Sequence, residues 1–259
     1  MQRFKLKDFE IYYQSFGNPE SPALVWAHGW GQSHESFMQL AAPFQQGYHH
    51  IMVDFPGFGA SPPPPAIWST ADYADAIASL IKEQIKGKVV WIGHSFGCRV
   101  GLQIAARHPE LTKGLFLIAA AGLKRKRPLH QALGLKGRVL LYKTLKKLVP
   151  LGAVREEWLK SKFGAADYKN VSGIMRSVFV KTVNENLATI TKAIACPVTL
   201  VYGTQDTETP LEIGQRLNKL ISGSRLVELD GLDHYSVLSS GRHQVAHILQ
   251  GFMQRLNNA

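Results

Sequence analysis

The residues with the clearest chemical potential are Gly93-His94-Ser95-Phe96-Gly97. Val89 to Ile92 form a short apolar run, which reads as a strand buried on both faces. From Ser95 the period changes. Val100, Ile104 and Ala105 recur at helical spacing, and the run continues to Pro109. Ser95 is therefore expected on the turn itself. In a Gly-x-Ser-x-Gly turn the flanking glycines let strand and helix pass closely, and the hydroxyl is presented at the carboxyl edge of the sheet. The next backbone N–H, that of Phe96, falls at a helix N-terminus, where negative charge is stabilised. The chemistry expected of such a serine is attack on an acyl carbonyl; the competing reading is a packing turn whose serine merely caps the helix.

A hydroxyl needs a base before it can attack. Among ten histidines, His234 in "LVELDGLDHYSVL" is the best placed, a short loop beyond a predicted strand and before the last helix. His243 and His247 are expected on the surface of that helix. His94 flanks the serine and is expected to point away from it. The base in turn needs an acid to hold its tautomer. Asp206 in "LVYGTQDTETP" lies just past a strand end and gives the order Ser, Asp, His. Asp230 and Asp233 are too close to His234 in sequence and read as turn residues. Glu208 is the alternative acid. A fourth piece, "AHGWGQS" (27–33), is a Gly-flanked loop after a strand. It can aim the N–H of Trp30 at the same point as that of Phe96, forming an oxyanion hole. Otherwise it is an ordinary glycine turn with Trp30 packed as a lid aromatic.

These residues need a frame. Six apolar segments end in Gly, His, Asp or Ser within a residue or two: 23–29, 50–57, 88–95, 114–122, 196–203 and 224–231. One or two further strands precede them. Helical periodicity fills most of the gaps, most clearly over 69–86. There Ser69 can cap with Asp72, and Ile77, Leu80, Ile81 and Ile85 share a face. Strands alternating with helices predict a mostly parallel sheet covered on both faces, an α/β fold. The alternation lapses once, over 123–191, which reads as a helical insertion. The core is then 1–122 with 192–259.

Composition narrows the class. Of 259 residues, 45% are hydrophobic and 19% charged, as in ordinary folded domains. No apolar run reaches the roughly 18 residues that span a bilayer. The N-terminus alternates charged and apolar residues and reads as a strand, not a signal peptide. Cys98 and Cys196 share no metal-ligand spacing and read as reduced thiols, so a cytoplasmic location is expected. Nothing calls for a metal or another cofactor.

The four pieces, each after a predicted strand, resemble the α/β-hydrolase superfamily. The resemblance rests on "HGWG" (28–31), "DFPGFGAS" (54–61), "GHSFG" (93–97), "YGTQDTETP" (202–210) and "GLDHYS" (231–236), and covers nearly the whole chain. It implies Ser95 as nucleophile, Asp206 as acid, His234 as base, Trp30 and Phe96 as oxyanion donors, and 123–191 as a helical cap. Cys98 departs from the small residue common after the elbow. The motifs are similar to those of small carboxylesterases, one of which acts on an acyl-carrier-protein methyl ester. They are also similar to those of hydrolases that cleave carbon–carbon bonds in ring-fission products. Ester hydrolysis is the expected reaction, carbon–carbon hydrolysis the alternative, and a non-catalytic binding protein on the same fold a third.

The formal charge of +11 is not spread evenly. Residues 124–155 hold ten Lys or Arg and no Asp or Glu, leaving about +1 for the other 227 residues. Over 136–149, Lys136, Lys143, Lys146 and Lys147 fall opposite Leu141, Tyr142, Leu145 and Leu148 on a helical wheel. One reading is a cap helix with a solvated basic face. The other is an anionic partner at the mouth of the site, an acidic acyl carrier protein or an anionic membrane surface. Nucleic acid is not expected, because no aromatic residues interleave with the charges.

Overall fold

The computed structural model describes residues 1–6, 9–125 and 173–258. Eight strands form one sheet: β1 Gln2–Leu6, β2 Phe9–Phe16, β3 Ala23–Ala27, β4 His49–Asp54, β5 Val89–His94, β6 Thr112–Ile118, β7 Val198–Gly203 and β8 Arg225–Leu229. Their order is β1-β2-β4-β3-β5-β6-β7-β8. β1 and β2 pair antiparallel, as does β2 with β4, and every other pair is parallel. Both possible N-terminal strands exist, and each of the six apolar segments supplies one strand.

The strands are apolar throughout because both faces are covered. Along β3, Val25 and Ala27 face one core while Leu24 and Trp26 face the other. β5 and β6 alternate in the same way: Trp91, Leu115 and Leu117 go to the first core, and Val90, Ile92, Phe116 and Ile118 to the second. The described helices are α1 Met38–Ala41, α2 Thr70–Gln84, α3 Phe96–Arg107, α4 Gly173–Asn184, α5 Leu211–Leu220 and α6 Arg242–Asn257. The first core is closed by α2, α3 and α5, the second by α1 and α6. Full burial of each large aliphatic or aromatic side chain stabilises the fold by roughly 1.5–3 kcal/mol.

α2 begins where its sequence predicts. Ser69 caps it, Oγ accepting from Asp72 N–H at 3.3 Å, and Asp72 Oδ2 accepts the Ser69 N–H at 2.6 Å. A second carboxylate joins them: Glu185 Oε1 accepts the Thr70 N–H at 3.0 Å, and Thr70 Oγ1 also bonds Glu185. Glu185 directly follows α4, and its carbonyl accepts from the buried Arg99 at 3.3 Å. These contacts pin the end of the predicted insertion to the core. Most of that insertion, and the basic helix expected over 136–149, lies outside the described residues. Among the described residues, no helix is long and apolar enough to cross a membrane.

The parallel register gathers the loops that carry the candidate residues. Ala27 pairs with Gly93, His94 with Ile118, Ile118 with Val201, and Gly203 with Leu229. The carboxyl ends of β3, β5, β6, β7 and β8 thus line up along one edge. The loops beyond them emerge together, although more than two hundred residues separate the first from the last.

Candidate active site

Ser95 occupies the tip of the β5–α3 turn with φ 49° and ψ −102°. Only one other described residue besides glycine has a positive φ, Ala119 at 49°, just past the end of neighbouring β6. A positive φ costs a side-chain-bearing residue on the order of 1–3 kcal/mol and persists only where its surroundings impose it. Here Ser95 N–H donates to Ile118 O at 3.0 Å, and Cys98 N–H donates to Ser95 O at 3.1 Å. The flanking glycines are required by contact. A Cβ on Gly97 would lie 2.0 Å from Ala27 O, and one on Gly93 would lie 2.9 Å from the Gly97 carbonyl. The turn can therefore tighten only with glycine at both positions.

His234 and Asp206 meet as the sequence predicts. His234 Nδ1 lies 2.8 Å from Asp206 Oδ2, and both side chains are buried. The other carboxylate oxygen accepts two backbone N–H groups, of Glu208 and Thr209, each at 2.8 Å. Asp206 is thus held by its own loop while one oxygen stays directed at the imidazole. Glu208, the alternative acid, is exposed and contributes its backbone alone. Asp230 and Asp233 serve turns: Asp230 accepts from Thr204 Oγ1, and Asp233 from the N–H groups of Tyr235 and Ser236. His243 and His247 are exposed on α6. No hydrogen bond among the described residues joins Ser95 Oγ to His234.

The backbone N–H groups of Trp30 and Phe96 donate in no hydrogen bond among the described residues. Phe96 is the first residue of α3, so its N–H has no partner within the helix. Trp30 follows Gly29, whose own N–H donates to Gln32 Oε1 at 2.9 Å. The loop is tied to β4 by His28, whose Nδ1–H donates to Gly29 O at 2.7 Å and whose Nε2 accepts from Phe55 N–H at 3.1 Å. Those partners fix a neutral ring, and burial pushes its pKa down to about 4. The Trp30 ring packs among aromatics, with centroids 4.7 Å from Phe58, 5.4 Å from Phe96 and 5.0 Å from Phe179 of α4. The ring thus packs as a lid aromatic would, and that packing leaves the backbone N–H available. Phe163 and Tyr168, two further aromatics of the 123–191 stretch, lie outside the described residues.

Two contributors carry little signal in the sequence. Thr209 Oγ1 lies 2.9 Å from Asp206 Oδ2, 3.0 Å from Ala119 O and 3.2 Å from His234 Nδ1. Its only mark is a hydroxyl three residues after the acid. His94, expected to point away from Ser95, is buried against two other loops. Its Nε2 lies 2.9 Å from the carbonyl of His234, and the two rings are 4.9 Å apart. A turn residue at a strand end faces whatever the next sheet-edge loop brings over it, and here that loop carries His234. Neither cysteine competes as a nucleophile: burial holds the Cys98 thiol well above its ordinary range and pushes Cys196 up to about 11. Both are free thiols. Among the described residues no cluster of ligating side chains suits a metal ion.

Comparison with known proteins agrees with this architecture. A family model described as the alpha/beta hydrolase family matches residues 24–248. An uncharacterized hydrolase of Bacillus subtilis (strain 168), YugF, is 25% identical over 255 residues, covering 90% of this chain and 91% of that protein. The pimeloyl-[acyl-carrier protein] methyl ester esterase of Chromobacterium violaceum is 25% identical over 243 residues, covering 88% and 92%. Among solved structures, a membrane phospholipase A described as a bacterial virulence factor aligns with TM-score 0.78 at 24% identity, over 100% of this chain and 86% of that one. That last likeness speaks to the fold.

Proposed function

The chain belongs to the alpha/beta hydrolase family, and from that membership we propose that it cleaves carboxylic esters through Ser95, His234 and Asp206. The observation that carries this reading is the buried His234–Asp206 pair at 2.8 Å on the same sheet edge as a strained serine. Ser95 Oγ attacks the acyl carbon as His234 Nε2 takes its proton. Asp206 holds the Nδ1–H tautomer and stabilises the imidazolium. The N–H groups of Trp30 and Phe96 receive the oxyanion; losing one such donor typically costs about 100- to 1,000-fold in rate. The imidazolium then protonates the departing alcohol, and water, activated by the same histidine, releases the acid.

The cap reading of 123–191 is supported by its described part, where Phe179 packs against Trp30 with ring centroids 5.0 Å apart. The acyl group is carried to the site on an acidic carrier protein. Two observations support this: the basic run at 124–155 and a full-length relative named for an acyl-carrier-protein ester. The two free thiols suit the cytoplasm.

The direct test is hydrolysis of p-nitrophenyl esters of graded acyl length by wild type and Ser95→Ala, with fluorophosphonate labelling alongside. Activity and labelling that both vanish in the variant support the reading. An unlabelled, inactive wild type overturns it in favour of a binding protein. A labelled serine without ester turnover moves the assignment to carbon–carbon substrates. For the partner, activity on a carrier-borne ester should fall steeply with salt while that on a neutral ester holds; equal salt response overturns the carrier reading.

A further inference from the structure

His94 has 1% of its surface exposed and takes no part in the proposed chemistry. Its ring sits between two loops. On one side Nε2 meets the His234 carbonyl oxygen at 2.9 Å; on the other Nδ1 lies 3.2 Å from Gln32 Oε1. That same Oε1 accepts the Gly29 N–H at 2.9 Å, immediately before Trp30. One side chain, adjacent to Ser95 in sequence, therefore touches the backbone of the base and the amide that braces the Trp30 loop.

We infer that His94, together with Gln32, is a positioning residue that sets His234 and the Gly29–Trp30 loop at a fixed offset from Ser95. The inference rests on the ester-hydrolase reading of that site. Both partners of the His94 ring are acceptors, and the Gly29 N–H fixes which end of the Gln32 amide faces inward. A neutral imidazole carries one N–H. Burial and the neighbouring His234 push the His94 pKa down to about 3, so the ring is neutral. Its proton serves the shorter contact, Nε2–H donating to His234 O. Nδ1 then faces Gln32 Oε1 at 3.2 Å with no proton between them, so His94 sets the distance of closest approach of that amide while Gln32 holds the loop through the Gly29 N–H. The base is thus held from two sides: its ring by Asp206, its main chain by His94. Neither His94 nor Gln32 is assigned to the substrate, so their loss should act on turnover and leave substrate affinity alone.

The test is steady-state kinetics on the preferred p-nitrophenyl ester for wild type, His94→Phe, His94→Gln and Gln32→Leu, with thermal melts of each. His94→Phe removes the donor. A displacement of about 1 Å at a reacting group costs on the order of 100-fold, so kcat should fall about 30- to 300-fold with KM within about threefold. His94→Gln keeps an amide N–H in reach of the His234 carbonyl and should recover kcat to within about tenfold of wild type. Gln32→Leu, in a partly exposed loop, should lower kcat about tenfold at constant KM. If His94→Phe does not fold, the other two variants decide. Wild-type kcat in both overturns the inference, as does a raised KM at constant kcat or a His94→Gln variant as poor as His94→Phe. A wild type that neither turns over esters nor labels at Ser95 fails differently: it removes the underlying reading and this inference with it.

Discussion

Two carboxylate–imidazole pairs of almost equal length stand along the same sheet edge. Asp206 and His234 meet at 2.8 Å, and Asp54 and His34 at 2.9 Å. Both carboxylates are buried, and both imidazoles approach through Nδ1. The difference lies in what else each carboxylate holds. Asp54 Oδ1 also accepts the His34 N–H at 2.7 Å, and its Oδ2 accepts the Ala60 N–H at 2.9 Å. It knots the loop after β3 to the loop after β4, and both oxygens serve that knot. Asp206 satisfies its own loop with one oxygen and leaves the other to His234 and Thr209. An Asp–His contact is therefore not in itself a catalytic feature. Strand count does not choose between them, since Asp54 follows a strand two from β5 across β3 and Asp206 one two from β5 across β6; what differs is that Asp206 keeps Oδ2 clear of backbone N–H groups for His234.

This contrast breaks or sharpens under substitution. The largest effect belongs to Asp206→Asn, which should lower kcat by about 1,000- to 10,000-fold by permitting the wrong imidazole tautomer, with little change in melting temperature. Ester turnover at saturating substrate measures it. If the variant keeps more than a tenth of wild-type kcat, the two pairs are not functionally distinct.

Acid should strip stability through the buried neutral histidines near the knot and the site. His28 and His94 have folded pKa values of about 4 and about 3, against about 6.5 in the unfolded chain. Above pH 6.5 both states are neutral and nothing is lost. Between 6.5 and 4 the unfolded chain binds protons that the folded ring refuses, so stability falls as pH falls. The loss for each histidine is on the order of 3 kcal/mol. Urea unfolding at steps from pH 7.5 to 4.5 reads this slope, and His28→Gln should flatten it; an unchanged slope in the variant removes His28 from the account.

Asp54→Asn should leave ester kcat within about tenfold but cost roughly 2–4 kcal/mol of stability, because an amide nitrogen then faces a buried donor. Denaturant titration with parallel activity assays checks both halves, and a large kcat loss in a stable variant would make the Asp54–His34 pair part of the site. The smallest effect is expected at Thr209→Val, about tenfold in kcat, since Asp206 keeps its two backbone donors when the hydroxyl is lost. A pH–rate profile with kcat shows whether the threonine acts through Asp206.

Ser95, Asp206, His234 and the loop of Trp30 were legible in the sequence because each lies just past an apolar run, and such runs mark parallel strands whose carboxyl ends share an edge. His94 and Thr209 were not. Both are neighbours of a marked residue, and a neighbour's direction depends on which loop arrives opposite it. Asp54 sat within a recognised motif, yet its partner His34 could be named only once β3 and β4 were paired.

The sequence by itself determined the strand–helix alternation, the glycines at 93 and 97, the Ser69–Asp72 cap and the order of serine, aspartate and histidine. Those are local properties of period, backbone sterics and spacing. Only the tertiary structure decided which of two buried carboxylates keeps an oxygen clear of backbone N–H groups for His234, that His94 meets the His234 carbonyl, and that Glu185 caps α2. Each of these joins residues far apart in the chain. Such contacts depend on sheet order and register, which emerge when both faces of the sheet are buried at once.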